Sequence, residues 1–570
     1  MSAYVWSVVV SLIVYLVVGG WAGKAVRNVD DYFVAGRNAP TLLIVGTLVA
    51  SYLSTGLFLG ETGFAYDGFP FLMLALSTIS VNGSYLGAVF FGRYLRRSEA
   101  LTIPEFFGKR FDSPGLRQIA GLTTIFGVIL YLLGVMQGIS VMLSELTHIS
   151  YELSLIIVWC VFTSFTFYSG SKGVLLTDTI MFLVFGFAAI AGSVFIIHSV
   201  GGWQGIIDGL YRMTEKSGIV AWHGHTGEES FLPKAWQSLL WLITLGLVWA
   251  SVLAVSPWQS GRHLMAKNEQ VVIRSGMITT LSLAVIYLLL MPAAASLNLF
   301  DADIVQSERA MVWAALNVFP FLLGVLTLSG IFAAGLSSCS TFLSLVGFSL
   351  VNDIFVNTNL QERTLLYSRL SILFSSIVAL VLALIQPPAI MAIVWFSATL
   401  FASSWGPVGF MSIWCRWITK EGAVWGMVLG FLGNLIPAIM NKIGMISLPA
   451  FLDPVIFGAL FSVAAIYLIS KRSTPTEKAL QYLEKLTEKG DENLPARESR
   501  LTLFTSLFMM LAGASISLFM IINYAGNISS IGAESLSQGD ILGGYVLSML
   551  YGLPVIGGGI AGLFCYKKAG

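Results

Sequence analysis

The chain has 570 residues, of which 56% are hydrophobic and 11% charged, and its mean hydropathy is +0.82. That balance excludes an ordinary soluble domain and places the chain in a lipid bilayer. The net charge of +1 comes from few charges clustered between apolar stretches, so there is no basic face for nucleic acid.

Apolar runs of about 20 residues, enough to cross roughly 30 Å of hydrocarbon as helix, recur fifteen times. In chain order the first eight are 4–23, 41–63, 70–92, 118–146, 149–169, 174–199, 236–256 and 276–299. The remaining seven are 320–350, 367–386, 389–415, 422–441, 454–470, 501–523 and 541–566. The first run has no basic segment before it and is followed by Lys24 and Arg27, the reverse of a signal peptide, so a retained membrane helix is expected. An odd count puts the termini on opposite sides. With the N-terminus outside and the C-terminus cytoplasmic, all 31 Lys and Arg residues fall on the cytoplasmic side except Arg212, Lys216, Lys234, Arg309 and Lys442.

Two loops carry structure of their own. Outside, 200–234 opens with a short interfacial helix marked by Trp203, Ile206, Ile207 and Leu210. Inside, TPTEKALQYLEKLTEK starts with a capping-box pattern from Thr474 to Glu477, with Pro475 at the first helical position. Neither is long enough for an enzymatic domain, and no Walker, kinase, Rossmann or zinc motif is present, so neither catalysis nor ATP-driven transport is expected. Cys160, Cys339, Cys415 and Cys565 lack metal-ligand spacing and read as small core residues.

Spans 2 and 7 stand five apart, an odd offset, so a five-helix unit beginning at each would be inverted. Span 9 contains LSGIFAAGLSSCSTFLSLVG at 328–347, with Ser337, Ser338, Ser340, Thr341 and Ser344 inside a membrane helix. Ala334, Ser337, Ser338 and Thr341 follow helical spacing and share one face. Uncharged hydroxyl and carbonyl oxygens suit a hard monovalent cation, sodium; the plainer alternative is close helix packing with hydroxyls bonded back to their own backbone. Span 2 contains VASYLSTGLFLGETG at 49–63, whose glycines and hydroxyls favour a break that would free carbonyls near Ala50 and Leu53. Asp178, near the cytoplasmic start of span 6, is either an intramembrane functional group or a helix-start residue reaching water. Glu61 is either a solvated vestibule carboxylate or a gate or solute contact, while Glu145 and His148 belong to the outer rim.

These pieces resemble the sodium:solute symporter family. DDYFVAGR at 30–37, LTIPEFFGKRF at 101–111, TDT at 177–179, VWASVLAVSPWQSGRHLMA at 248–266 and AAGLSSCST at 333–341 carry the resemblance, which covers about 25–420. It implies an all-α polytopic membrane protein of about 15 transmembrane helices, with a LeuT-like core of two inverted five-helix repeats. The expected divisions are an extra helix and cytoplasmic loop (1–40), a first repeat (41–199), an extracellular loop (200–235) and a second repeat (236–416). Two added helices (417–470), a cytoplasmic helical loop (471–500) and two C-terminal helices (501–570) follow, the last with room for a regulatory role.

The resemblance also implies sodium as coupling ion and a small organic solute as partner: an amino acid, monocarboxylate, sugar or vitamin. The main sodium site would comprise the carbonyls of Ala50, Leu53 and Ala334 and the hydroxyls of Ser337 and Ser338. A second sodium would use Asp178, Ser337, Ser340 and Thr341. The solute site would involve Tyr52, Ser54 and Gly56, Tyr131 or Gln137, and Trp249, with no Lys or Arg deep in those segments. Two other readings remain: a solute sensor signalling to a partner, and a proton-coupled carrier titrating Asp178 or Glu61.

Overall fold

The computed structural model describes residues 3–23, 29–355, 364–385, 389–488, 496–531 and 536–569, and among them every regular element is a helix. Inside hydrocarbon no water can satisfy backbone N–H and C=O groups, so helices that close their own hydrogen bonds are the natural solution for this composition. Eleven helices are long and apolar enough to cross a membrane, or twelve if the bent pair Thr41–Tyr52 and Gly56–Tyr66 counts as one. The other three expected runs also lie on helices, within Ala3–Gly23, Tyr151–Ser199 and Val455–Ser470, the last of only 16 residues, so eleven or twelve crossings stand on length and composition and the count of fifteen is not established.

Runs 149–169 and 174–199 form one helical stretch, Tyr151–Ser199, of 49 residues. Laid straight it would reach about 74 Å. Ser171 Oγ donates to Phe33 O at 2.7 Å beside the loop before Thr41. At the other face, Tyr151 follows the end of Pro114–Thr147, and Gly192 lies against Phe319 just before Phe321–Ser349 begins.

Two crossings are interrupted. Thr41–Tyr52 and Gly56–Tyr66 meet at a 52° bend. Ser54 N–H turns to Tyr52 O at 2.9 Å instead of Ala50 O, and Gly56 N–H donates to Ser54 Oγ at 3.1 Å. A hydroxyl-to-backbone bond thus replaces the helical ladder at the residue types most able to offer one. Five spans later, Ala235–Val255 and Pro257–His263 are separated by Ser256 in an extended conformation (ψ 148°). Pro257 has no N–H to continue the ladder and biases the residue before it away from the helical region.

The outer helix Gly202–Tyr211 forms as expected, but Trp203, Ile206, Ile207 and Leu210 are buried against protein rather than facing lipid. Trp203 meets Phe519 edge-on, and Gly209 abuts Leu299. The helix in the 471–500 loop is Glu477–Thr487 and its cap is Thr476, whose hydroxyl accepts from Ala479 N–H at 3.3 Å; the expected box from Thr474, with Pro475 inside the helix, is not formed. Docking decides that register, because Ala479, Leu483 and Leu486 share the buried face and Arg97 donates to Leu486 O at 2.8 Å and Glu488 O at 2.9 Å. Thr476→Ala should loosen this helix by about 1 kcal/mol, read as faster amide exchange over 477–480 with uptake unchanged.

The C-terminal helices are fastened to the rest. Lys420–Lys442 and Val455–Ser470 pair with each other and lie on Ile390–Trp414. The last pair leans on Glu269–Ser296, where Thr502 Oγ1 donates to Gln270 Oε1 at 2.7 Å, Arg274 pairs with Glu498, and Tyr551 OH donates to Ala284 O at 2.9 Å.

Candidate functional site

The hydroxyl-rich stretch of Phe321–Ser349 is fully inside the protein: Ser337, Ser338, Ser340, Thr341 and Ser344 are all buried. Ser338 Oγ lies 3.1 Å from Ala334 O on its own helix and 3.4 Å from Ala50 O across the gap. Ala50 O is the carbonyl whose helical donor, Ser54 N–H, has turned away, and Leu53 (ψ 75°) ends the helix one turn on. Broken helix and hydroxylated helix thus meet at uncharged oxygens. Gln259, just after the second break, donates from Nε2 to Leu48 O and Ser51 Oγ, both at 3.2 Å, and so ties the two interrupted crossings together.

Asp178, on Tyr151–Ser199, is buried against the same hydroxylated helix. Ser337 Oγ donates to its Oδ1 at 2.7 Å, and Thr47 Oγ1 donates to Oδ2 at 2.6 Å. Thr341 Oγ1 reaches Oδ2 at 3.4 Å. Ser337 therefore faces Asp178 rather than Ala50, and Ser340 instead donates to Ser337 O at 2.9 Å. Arg262, which the sequence leaves in the stretch after span 7, is 4% exposed, lies 3.5 Å from Asp178 Oδ2 and donates to Thr341 Oγ1. The helix-start alternative for Asp178, with the carboxylate in water, does not hold. Thr47 and Arg262 escaped the sequence reading; the Pro257 helix start five residues before Arg262 is the signal that could have drawn it inward.

A second cluster surrounds a tight cavity of about 10 Å³ beside the break. Tyr52, Ser54, Gly56, Tyr131 and Trp249 line it, while Gln137 lies apart and accepts from Ala389 N–H at 3.3 Å. Tyr52 and Trp249 meet edge-to-face with centroids 5.5 Å apart. Glu61 also lines the cavity and is 8% exposed, so the solvated-vestibule alternative fails; its Oε2 accepts from Tyr287 OH at 2.6 Å. Glu145 does lie at a wet rim, paired with Arg309 at 2.7 Å with both side chains over a third exposed.

An all-helical membrane body with two interrupted crossings and a buried oxygen cluster between them defines a secondary transporter. The model of the sodium:solute symporter family matches residues 32–430, and the chain belongs to that family. It is 24% identical over 476 residues to the sodium/proline symporter of Escherichia coli K12, covering 78% of this chain and 89% of that one. It is likewise 24% identical over 467 residues to the sodium/pantothenate symporter of Haemophilus influenzae, covering 78% and 92%. A solved Na⁺-coupled sialic acid symporter in a substrate-bound, outward-open state superposes with a TM-score of 0.68 at 17% identity over 84% of this chain and 99% of that one, which establishes a shared fold. The chain is an integral membrane protein that couples sodium to the movement of a solute.

Proposed function

We propose that sodium binds where the broken helix meets Ser338, at the carbonyls of Ala50, Leu53 and Ala334, and that the aromatic cavity beside it takes up a small organic solute into the cell. The observation that carries this is Ser338 Oγ reaching both Ala334 O and the released Ala50 O. Sodium would replace the weak 3.4 Å contact with short bonds to both helices and so hold one conformation, shaping the neighbouring cavity. A tenfold effect on solute affinity needs about 1.4 kcal/mol of coupling, and the solute must tighten sodium by the same factor. Alternating access would then follow from rocking of the interrupted crossings, whose breaks five spans apart support two inverted repeats at 41–199 and 236–416. Clustering of Arg97, Lys109, Arg117 and Arg274 at one face supports a cytoplasmic C-terminus, an outside N-terminus and residence in the plasma membrane.

One sodium per cycle is favoured over two. Arg262 already supplies positive charge to Asp178, which a second ion at Asp178, Ser337, Ser340 and Thr341 would have to displace. The solute is a small organic molecule, an amino acid, vitamin, monocarboxylate or sugar, a range that includes those for which the proline and pantothenate relatives are named. The test is uptake of labelled candidate solutes into proteoliposomes with NaCl or KCl outside. Ser338→Ala should raise the sodium needed for half-maximal uptake by about tenfold, the loss of about 1.4 kcal/mol. An unchanged sodium requirement in a folded Ser338→Ala protein would reject the site.

A further inference from the structure

We infer that the solute carries a positively charged nitrogen, a protonated or alkylated amine, and that Glu61 with the aromatic walls of the cavity is what holds it. This rests on the cavity being the solute site. The first observation concerns charge. Among the described residues four carboxylates are buried, and three have a resident cation: Asp178 has Arg262, Asp353 has Arg117 and Glu105 has Lys109. Among the described residues Glu61 has none, its only short contact being the Tyr287 hydroxyl on Oε2. A carboxylate at membrane depth is costly to keep without a counter-charge, so a site that retains one calls for a mobile cation.

The second observation is what Glu61 faces. Tyr52, Tyr131, Trp249 and Trp395 line the same cavity, so one acid stands among four aromatic rings. Ring faces carry negative quadrupole potential and attract ammonium and quaternary ammonium groups, which a carboxylate alone would bind only with bulk water for company. In this conformation the free space there is about 10 Å³, room for no more than a water, so the walls must part to admit a solute. A solute bearing only a carboxylate would meet like charge, and a sugar would leave Glu61 without its counter-charge. A zwitterion satisfies both neighbours: its nitrogen goes to Glu61 and its carboxylate toward the sodium near Ala50, within one helical turn of the break.

The experiment is a binding measurement on the purified protein, by tryptophan fluorescence and thermal shift, in NaCl and in KCl. The probes with a cationic nitrogen are choline, glycine betaine and L-proline; acetate, pantothenate and galactose lack one. Choline cannot serve as an inert sodium substitute here, which is why potassium is used. At least one cationic-nitrogen probe should bind in NaCl and not in KCl, while the other three should not bind. Glu61→Gln should weaken that binding about tenfold or more, and Tyr287→Phe several-fold, with the thermal shift given by sodium alone unchanged in both. Binding only of anionic or neutral probes, no binding of any cationic-nitrogen probe, or loss of the sodium-only shift in Glu61→Gln would each overturn the inference. Binding that survives Glu61→Gln but is lost in Trp249→Ala overturns it while leaving the cavity as the solute site. Survival in both variants removes the cavity as well.

Discussion

Asp178→Ala should lower the melting temperature of the purified protein sharply and abolish sodium-driven uptake. Arg262 lies 3.5 Å from Asp178 Oδ2 and is nearly inaccessible to water, so removing the carboxylate strands a guanidinium in the interior. Breaking a buried pair from one side costs roughly 3–5 kcal/mol. Thr47 and Ser337 lose their acceptor in the same step, adding about 1–3 kcal/mol for each hydroxyl left unsatisfied. The loss should therefore exceed that of any single hydroxyl substitution in the cluster. Replacing Arg262 by methionine in the Asp178→Ala background should recover much of the melting temperature without recovering uptake. An Asp178→Ala protein that melts like the parent would show that the pair is dispensable to the fold.

Gly83→Val should prevent normal assembly, visible as loss of the monodisperse peak in detergent and of uptake. An added Cβ at Gly83 would lie 2.1 Å from Ala250 O and 2.8 Å from Ala250 Cα, and one at Gly87, a turn further on, 2.5 Å from Ala254 Cα. These are backbone atoms, which cannot swing aside as a side-chain end can. Small residues four apart let two membrane helices touch along their backbones, and filling one forces the pair open. Overpacking a tight contact costs typically about 1–3 kcal/mol; here the displaced partner also carries Trp249, the wall of the aromatic cavity, one residue from Ala250. Gly20→Ala, with nothing within 4 Å, is the matched control and should behave as the parent.

Much of the fold was legible because a bilayer imposes a single length on whatever crosses it. Each of the fifteen apolar runs lies on helix, the second across its break. The break in 49–63 was legible for a local reason: Ser54 and Gly56 offer the backbone an alternative bond within two residues. The meeting of Ser338 with Ala50 was reachable only through the family resemblance, since 288 residues separate the partners. Arg262 and Thr47 were invisible because their role depends on which helix face Asp178 meets. Of the pair Tyr131 or Gln137 it is Tyr131 that lines the cavity, while the Gln137 amide holds the start of a neighbouring helix, a difference that spacing along one helix does not reveal. Thr474 lost to Thr476 because the docked face of the helix in the 471–500 loop, not the capping pattern, sets where that helix begins.

A sodium ion bound as proposed, at the uncharged oxygens of Ala50, Ala334 and Ser338, would keep its whole charge. A fixed carboxylate among those ligands would leave the charge moved per cycle the same, since it returns on the empty carrier; neutral oxygens put the voltage dependence on the loaded step. With neutral ligands the voltage across the membrane works directly on the cargo, contributing about 2.3 kcal/mol per 100 mV for one elementary charge. That alone can sustain a solute ratio near ~50 to 1. A cell could thus go on concentrating a net-neutral solute after its sodium levels had become equal on the two sides, drawing on its electrical polarisation.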